Sequence, residues 1–307
     1  MKPRVALIVL TMNNLSDTAV ALESLSALTY PNCEIILVDN GSTDDSIPVL
    51  RERFPHVTII ENGRNLGFAA GNNAGLEFAR TGGADYMMLL NNDIEVEPDF
   101  LDILVEAVES DPRIGMIGPA IYDFEDRPNN VGWRFNPRWG YSIRVRFEEA
   151  EGREILDVHT ISGCAVMIRR AVYEKIGGLD ERLFLLVEDV EWGLRCLEAG
   201  WRVVTATRAK LWHLNCATIR RFSSGRLYYE YRNSLMVMRR HARFLNWLSF
   251  LPHLVFRRYL PDRRAIKRDR ALAGDVRALR LRALRQAFAD FLAGRTGRGP
   301  AWLSYSR

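Results

Sequence analysis

The sequence predicts an α/β fold, a central and mostly parallel sheet flanked by helices, followed by a basic helical tail. Three observations carry that prediction. Short continuous apolar runs alternate along the first hundred residues with segments whose apolar positions recur at helical spacing. Each apolar run ends in a cluster of Asn, Asp, Gly or Ser. Charge then divides the chain: residues 1–238 hold 25 basic and 34 acidic side chains, whereas residues 239–307 hold 17 and 4, although the net charge of the whole is only +4.

The first strand is expected at residues 5–10, apolar throughout, as a strand covered on both faces should be. Leu15, Ala19, Leu22, Leu25 and Leu28 then mark a helix that ends near Tyr30-Pro31, and a strand at 34–38 completes one βαβ unit. A second helix starts around Ser46 with Pro48 in its first turn. A strand at 57–60, a helix at 68–80 and a strand at 86–90 follow, an order that requires parallel pairing with right-handed crossovers. Pro98 opens a helix carrying Phe100, Leu101, Leu104, Val105 and Val108. Residues 122–152, rich in Pro, Asn, Gly, Trp and charge, lack a period and read as a long functional loop or hairpin. Regular structure resumes at 159–168 and 170–176, breaks at Gly177-Gly178, and returns as a helix from 189 to 199 in which Val190, Leu194 and Leu197 should face the core. Beyond Tyr228 the chain reads as helical and increasingly Arg-rich. The expected division is therefore an α/β domain over 1–238 and a basic amphipathic tail over 239–307.

The 307 residues and 48% apolar content suffice for a packed core and exclude a disordered chain. Cys33, Cys164, Cys196 and Cys216 show no C-x-x-C spacing, which argues against a disulfide framework or thiolate metal site and fits a reducing compartment. Six apolar residues at the N-terminus are too few for a signal peptide, and no run of about 18 apolar residues predicts a transmembrane helix. The basic tail lacks any recognised nucleic-acid module, so no nucleic-acid partner is expected.

In open α/β sheets ligands bind beyond the carboxyl ends of the strands. Four polar clusters fall there: residues 11–14, 39–42, 61–67 and 91–93. Each is also an ordinary turn sequence, but together they would line one edge. Asp39 can accept hydrogen bonds from a base or ribose, and Gly67, Gly71 and Gly75 would let a ligand approach the main chain. Those glycines do not spell G-x-G-x-x-G, which weakens a dehydrogenase reading. Asp93 places a carboxylate at the sheet edge where Mg²⁺ or Mn²⁺ could bridge it to a diphosphate, or where it simply caps a turn. Glu188 and Asp189 stand at a helix start, where the dipole favours ionised carboxylates, as a candidate general base or as capping acids. His213 lies beside Trp212 and Leu214, a ligand or a packed histidine, and spacing alone does not bring it to Asp93.

Taken together, these segments resemble glycosyltransferase family 2, the inverting enzymes of GT-A fold, and among them the rhamnosyltransferase-like members of bacterial surface polysaccharide assembly. The resemblance runs from about Val5 to His241. It rests on Leu10-Thr11-Met12-Asn13-Asn14, Val38-Asp39-Asn40-Gly41-Ser42-Thr43-Asp44, Asn65-Leu66-Gly67-Phe68-Ala69-Ala70-Gly71-Asn72-Asn73-Ala74-Gly75, Leu89-Leu90-Asn91-Asn92-Asp93, Ser162-Gly163-Cys164-Ala165, Gly177-Gly178-Leu179-Asp180-Glu181, Glu188-Asp189, His213 and Tyr231-Arg232-Asn233, in that order. It implies a GT-A nucleotide-diphospho-sugar transferase fold and transfer of a sugar from a UDP- or dTDP-sugar, dTDP-rhamnose among them, to an acceptor hydroxyl of a lipid-linked or surface polysaccharide. By the family pattern Thr11, Asn13, Asp39, Asn65, Gly67, Asn72, Asn91 and Asn92 stand on the donor side. Asp93 and His213 would hold a divalent cation, Mg²⁺ or Mn²⁺, and Asp189 would be the catalytic base. Gly163, Glu188 and Trp192 would lie on the acceptor side. Asn91 stands where the family's D-x-D motif has its first acid, and Leu179 replaces the usual aromatic of G-G-F-D-E. The rival enzymatic class, a sugar nucleotidyltransferase of related fold, needs a Gly-rich basic loop that residues 10–14 lack. A catalytically silent nucleotide-sugar or membrane-binding module is the non-enzymatic rival.

The tail offers aromatic and aliphatic bulk at 244–256 next to Arg257 and Arg258. Farther on, Arg277, Arg280, Arg282 and Arg285 interleave with Leu279, Leu281, Leu284, Phe288, Phe291 and Leu292. Both patterns suit an anionic membrane surface, and helices packed on the catalytic domain or on a sister subunit would carry them equally. The expected location is cytoplasmic, peripheral on the inner face of the cell membrane.

Overall fold

The computed structural model describes residues 2–213, 223–270 and 272–303. The chain divides into two compact units, one of residues 1–134, 144–180 and 188–215, the other of residues 135–143, 181–187 and 216–307.

The first unit opens with β1 (Val5–Thr11), α1 (Leu15–Ser26), β2 (Cys33–Asp39), α2 (Ser46–Arg53), β3 (Thr58–Glu61), α3 (Gly67–Thr81) and β4 (Tyr86–Asn91). Val5 to Val9 are wholly buried because helices cover both faces of the sheet. Val5, Leu7 and Val9 meet α1 and α2, while Ala6 and Ile8 meet α3. β1 pairs in parallel with both β2 and β4, and β2 with β3, as the βαβ reading requires. After β5 (Ile94–Val96) and α4 (Phe100–Glu109) come β6 (Ile114–Tyr122), β7 (Pro128–Asn130), β8 (Trp133–Asn136), β9 (Tyr141–Arg144) and β10 (Ile155–Asp157), of which residues 135–143, in β8 and β9, count with the second unit. β11 (Ala165–Arg169), α5 (Arg170–Ile176), α6 (Glu188–Glu198) and β12 (Arg202–His213) complete the series.

The sheet order is β10-β12-β6-β11-β4-β1-β2-β3, with β5 on β12 and β7 on β6. The parallel run ends at β11, which is antiparallel to both β4 and β6. Residues 159–164, read as part of a strand, form only an isolated bridge from Thr160 to Trp133. A turn closed by Ala165 N–H on Ser162 O delays β11 to Ala165. The stretch 122–152 contains the short strands β7, β8 and β9, a hairpin rather than an open loop. In α6 the stripe facing the core holds Trp192 and Cys196, whereas Val190 and Leu197, expected there, are only partly covered.

The second unit is built on α7 (Ser224–His241), followed by α8 (Phe244–His253), a π-helical turn at Leu254–Tyr259, α9 (Leu260–Arg268) and α10 (Gly274–Leu292). The division expected at residue 238 therefore falls inside a continuous helix. α10 buries Ala283, Leu284 and Ala287, and Asp290 accepts a 2.6 Å hydrogen bond from Tyr228 Oη, so this part of the tail is packed rather than free. Arg232 is wholly buried, its guanidinium 5.0 Å from the ring centres of both Tyr228 and Tyr229. It donates to Leu183 O, while Asn233 Nδ2 donates to Leu183 O, Leu185 O and Leu186 O. Those bonds hold Phe184, Leu186 and Val187 at φ of 62°, 68° and 74°, a conformation that non-glycine residues rarely adopt.

Gly75 shows how closely α3 lies on the sheet. A Cβ there would sit 2.4 Å from Ile8 Cγ2 and 2.9 Å from Val38 Cγ2, and at Gly71 it would sit 2.8 Å from Leu10 Cδ1. The room these two glycines make is taken by strands, not by a ligand as their spacing had suggested. Gly75→Ala should therefore cost about 1–3 kcal/mol of stability through overpacking, read from the denaturant midpoint. Gly274→Ala, with nothing within 4 Å, should cost none of it.

Candidate active site

The ends of β1, β2 and β4 lie side by side, with Thr11 paired to Asp39 and Leu10 to Asn91, so three polar loops emerge at one edge. Asp39 is buried, and its Oδ1 accepts from Ser42 N–H at 2.9 Å and Ser42 Oγ at 2.6 Å. Asn13, in the left-handed region at φ 51°, donates its backbone N–H to Ser42 Oγ and accepts Thr43 N–H at 2.7 Å. This cluster borders a recess of about 530 Å³ lined by Asp39, Ser42, Ile47, Pro48, Arg51 and Glu61, within the usual size range of small-molecule sites.

Asn65 Oδ1 accepts Gly67 N–H at 2.8 Å. Asn40 accepts Leu66 N–H and donates to Gly67 O, fixing the loop before α3. Asn40 and Ser42 belong to the polar cluster at 39–42, but the sequence assigns neither a role of its own. Their polarity at a strand end was the available signal. Other expected donor contacts are turned inward. Thr11 is buried, and Asn92 Nδ2 ties it to Thr18, bracing the edge. Asn72 is buried too, donating to Phe68 O one turn back in α3.

Antiparallel pairing of β5 with β12 sets His213 opposite Ile94 and so brings it to Asp93, which sequence spacing alone does not do. His213 Nε2 lies 3.0 Å from Asp93 Oδ1 and 3.3 Å from Asn91 Nδ2. Asp93 is buried, and among the described residues its Oδ1 receives no properly directed hydrogen bond. A buried carboxylate oxygen without a donor, beside an imidazole nitrogen, suits a hard divalent cation. Among the described residues no group of three or more His, Cys, Asp and Glu could hold a metal ion, so a cation here would take its remaining ligands from water and bound anionic oxygens.

The turn at Ser162-Gly163-Cys164 joins this group to the acidic pair. Cys164 O accepts Asn91 N–H at 2.9 Å, while Gly163 N–H donates to Asp189 Oδ2 at 3.0 Å. Burial, with smaller contributions from the charges of Asp93 and Asp189, pushes the Cys164 thiol up to about 12. Gly163 is thus a support for Asp189. Trp192, expected on the acceptor side, is instead wholly buried in the core and donates Nε1–H to Gly177 O at 2.9 Å.

Glu188 is buried, its Oε2 without a hydrogen-bond partner among the described residues, and desolvation followed by the repulsion of Asp189 raises its carboxyl to about 8. Desolvation also raises Asp189, but the N–H groups of Gly163 and Val190 stabilise its ionised form. Both carboxyls are raised, so the pair resists carrying two charges at once, and the two backbone donors favour the ionised form of Asp189. Asp189 keeps partial exposure and is the member able to take up a proton from a bound molecule.

A native carboxyl raised to about 8 contributes stability that is complete below its unfolded value near 4.3 and declines as pH rises through 8. Glu188→Gln, neutral throughout, should lack that decline. Its stability relative to the unsubstituted protein should grow from about pH 5 to about pH 8.5, read as urea midpoints. Parallel curves would contradict the assignment.

Residues 6–177 match the family described as Glycosyl transferase family 2. N-acetylglucosaminyl-diphospho-decaprenol L-rhamnosyltransferase of Mycobacterium tuberculosis is 28% identical over 277 residues, covering 81% of this chain and 90% of that one. The dTDP-rhamnosyl transferase RfbF of Shigella flexneri is 25% identical over 225 residues, covering 71% of this chain and 74% of that one. Among solved structures, the mannosyltransferase PcManGT of Pyrobaculum calidifontis, in complex with GDP-Man and Mn²⁺, superposes with a TM-score of 0.57 at 18% identity, covering 96% of this chain and 88% of that one. GalNAc-T7 with UDP, GalNAc and Mn²⁺ gives 0.60 at 14% identity over 95% of this chain, which spans 57% of that longer one. The fold is GT-A, and the chain belongs to glycosyltransferase family 2 as a rhamnosyltransferase-like glycosyltransferase.

Proposed function

We propose that the protein transfers a deoxyhexose, rhamnose in the first instance, from a dTDP- or UDP-linked donor to a hydroxyl of a lipid-linked glycan, with inversion at the anomeric carbon. The names of the mycobacterial and Shigella relatives support that donor sugar, and the decaprenol-linked substrate in the first name supports the acceptor. One observation carries the mechanism: a single turn, Ser162-Gly163-Cys164, ties both Asp189 and the Asn91–His213–Asp93 group to it.

The donor's nucleoside would sit at the Asp39 recess, with Asp39 and Asn13 supplying polar contacts to base and ribose. Asp93 and His213, with Asn91 beside them, would hold Mg²⁺ or Mn²⁺, which when bound neutralises charge developing on the departing diphosphate. Asp189 accepts the proton of the acceptor hydroxyl as its oxygen bonds to the anomeric carbon and the bond to the diphosphate oxygen breaks. Gly163 N–H keeps that carboxylate oriented, and neutral Glu188 spares it a second adjacent charge. The acceptor would be met at the cytoplasmic face of an anionic membrane. No helix among the described residues is long and apolar enough to cross one.

Asp189→Asn should lower kcat by about a hundred- to ten-thousand-fold while donor affinity, read by calorimetry, stays within about threefold. Unchanged turnover would remove Asp189 from the role of base. Asp93→Ala should instead weaken donor binding and abolish its dependence on added Mn²⁺. Donor binding that ignores chelator in the unsubstituted protein would contradict a cation at Asp93.

A further inference from the structure

We infer that the outer face of α8 and the π-helical turn after it is a docking surface for an anionic lipid bilayer, lying along the membrane plane. Phe244, Leu245, Leu248 and Phe256 are 81%, 72%, 67% and 66% exposed, and Leu251 is exposed as well. Phe244, Leu248 and Leu251 follow one another at helical spacing, and the wider π-helical turn at Leu254–Tyr259 carries the row on to Phe256.

The opposite face of the same helix is already packed. Phe250 and Leu254 are wholly buried, and the Trp247 ring meets Phe250 edge-on and stacks against Phe291. The helix is thus apolar on both sides and covered on one, whereas an ordinary surface helix keeps its outer face polar.

Charge identifies the occupant. From Arg239 to Pro261 there is no acidic residue, while Arg239, Arg240, Arg243, Arg257 and Arg258 flank the apolar row at both ends. Bulky apolar side chains on a convex helix, framed by arginines and with no acid among them, match the interface of a bilayer carrying negative headgroups. The surface stands on this helix alone; that it brings the enzyme to a lipid-linked acceptor rests on the transferase reading above.

The test is co-sedimentation of the full chain with vesicles, of phosphatidylcholine alone and of phosphatidylcholine and phosphatidylglycerol in equal parts. The unsubstituted protein should bind the mixed vesicles and bind the neutral ones far more weakly. Phe244→Ser with Leu248→Ser and Phe256→Ser should lower binding to mixed vesicles by at least about tenfold. Arg243→Gln with Arg257→Gln should lower it by about fivefold per arginine and flatten its salt dependence. Unaltered circular dichroism and unaltered donor binding in the variants would show that the fold and the transferase site are untouched, so a failure of docking is separable from a failure of the transferase reading. The inference is overturned if the unsubstituted protein stays in solution on mixed vesicles, if the triple variant binds as well as it does, or if the triple variant instead abolishes a dimer seen by sedimentation velocity.

Discussion

The hydrogen bond from Gly163 N–H to Asp189 Oδ2 is the contact on which the proposed chemistry depends. It stabilises the ionised form of a carboxylate that burial would otherwise protonate, and it comes from a turn whose next carbonyl receives Asn91 N–H. One rigid loop at the start of β11 therefore fixes the acid and the metal-side group in a common frame. Reversing the direction of β11 between β4 and β6 is what puts that loop at the carboxyl end of β4. On the proposed mechanism, the break in the parallel sheet serves the site.

Around this contact the site separates two carboxylates by environment. Glu188 is closed off, lacks a partner for Oε2 and keeps its proton to about pH 8. Asp189, one residue on, receives two backbone donors that favour its ionised form. At Asp93 a buried oxygen receives no directed hydrogen bond among the described residues and has the His213 imidazole nitrogen 3.0 Å away. Burying an ionisable oxygen unsatisfied costs stability. Such costs are tolerated where a ligand supplies the missing partner.

Much of this was legible in the sequence. The polar clusters after residues 10, 38 and 90 mark the binding edge because a strand covered on both faces must be apolar until it leaves the core. The placement of His213 was not legible, since it follows from the antiparallel register of β5 on β12, a long-range pairing with no local signal. The glycines of α3 misled because a missing Cβ looks the same whether it makes room for a ligand or, as at Gly75, for Ile8. Trp192 misled because nearness to Asp189 in sequence says nothing of helix face, although Cys196 one turn later pointed to the core. The Tyr231-Arg232-Asn233 string was visible as a motif, but the work of Arg232 and Asn233 in the second unit, holding by the carbonyls of Leu183, Leu185 and Leu186 a segment with three left-handed residues, depends on partners about fifty residues away.

The central claim is that one sugar is held between Asp189 and a cation at Asp93. A crystal structure of the complex with donor and Mn²⁺, phased on the manganese anomalous signal, tests it most directly. The expected map shows manganese against Asp93 and His213, with the anomeric carbon between the metal-bound diphosphate and an open approach beside the Asp189 carboxylate. A metal peak elsewhere, or a sugar whose anomeric carbon faces away from Asp189, would contradict the account.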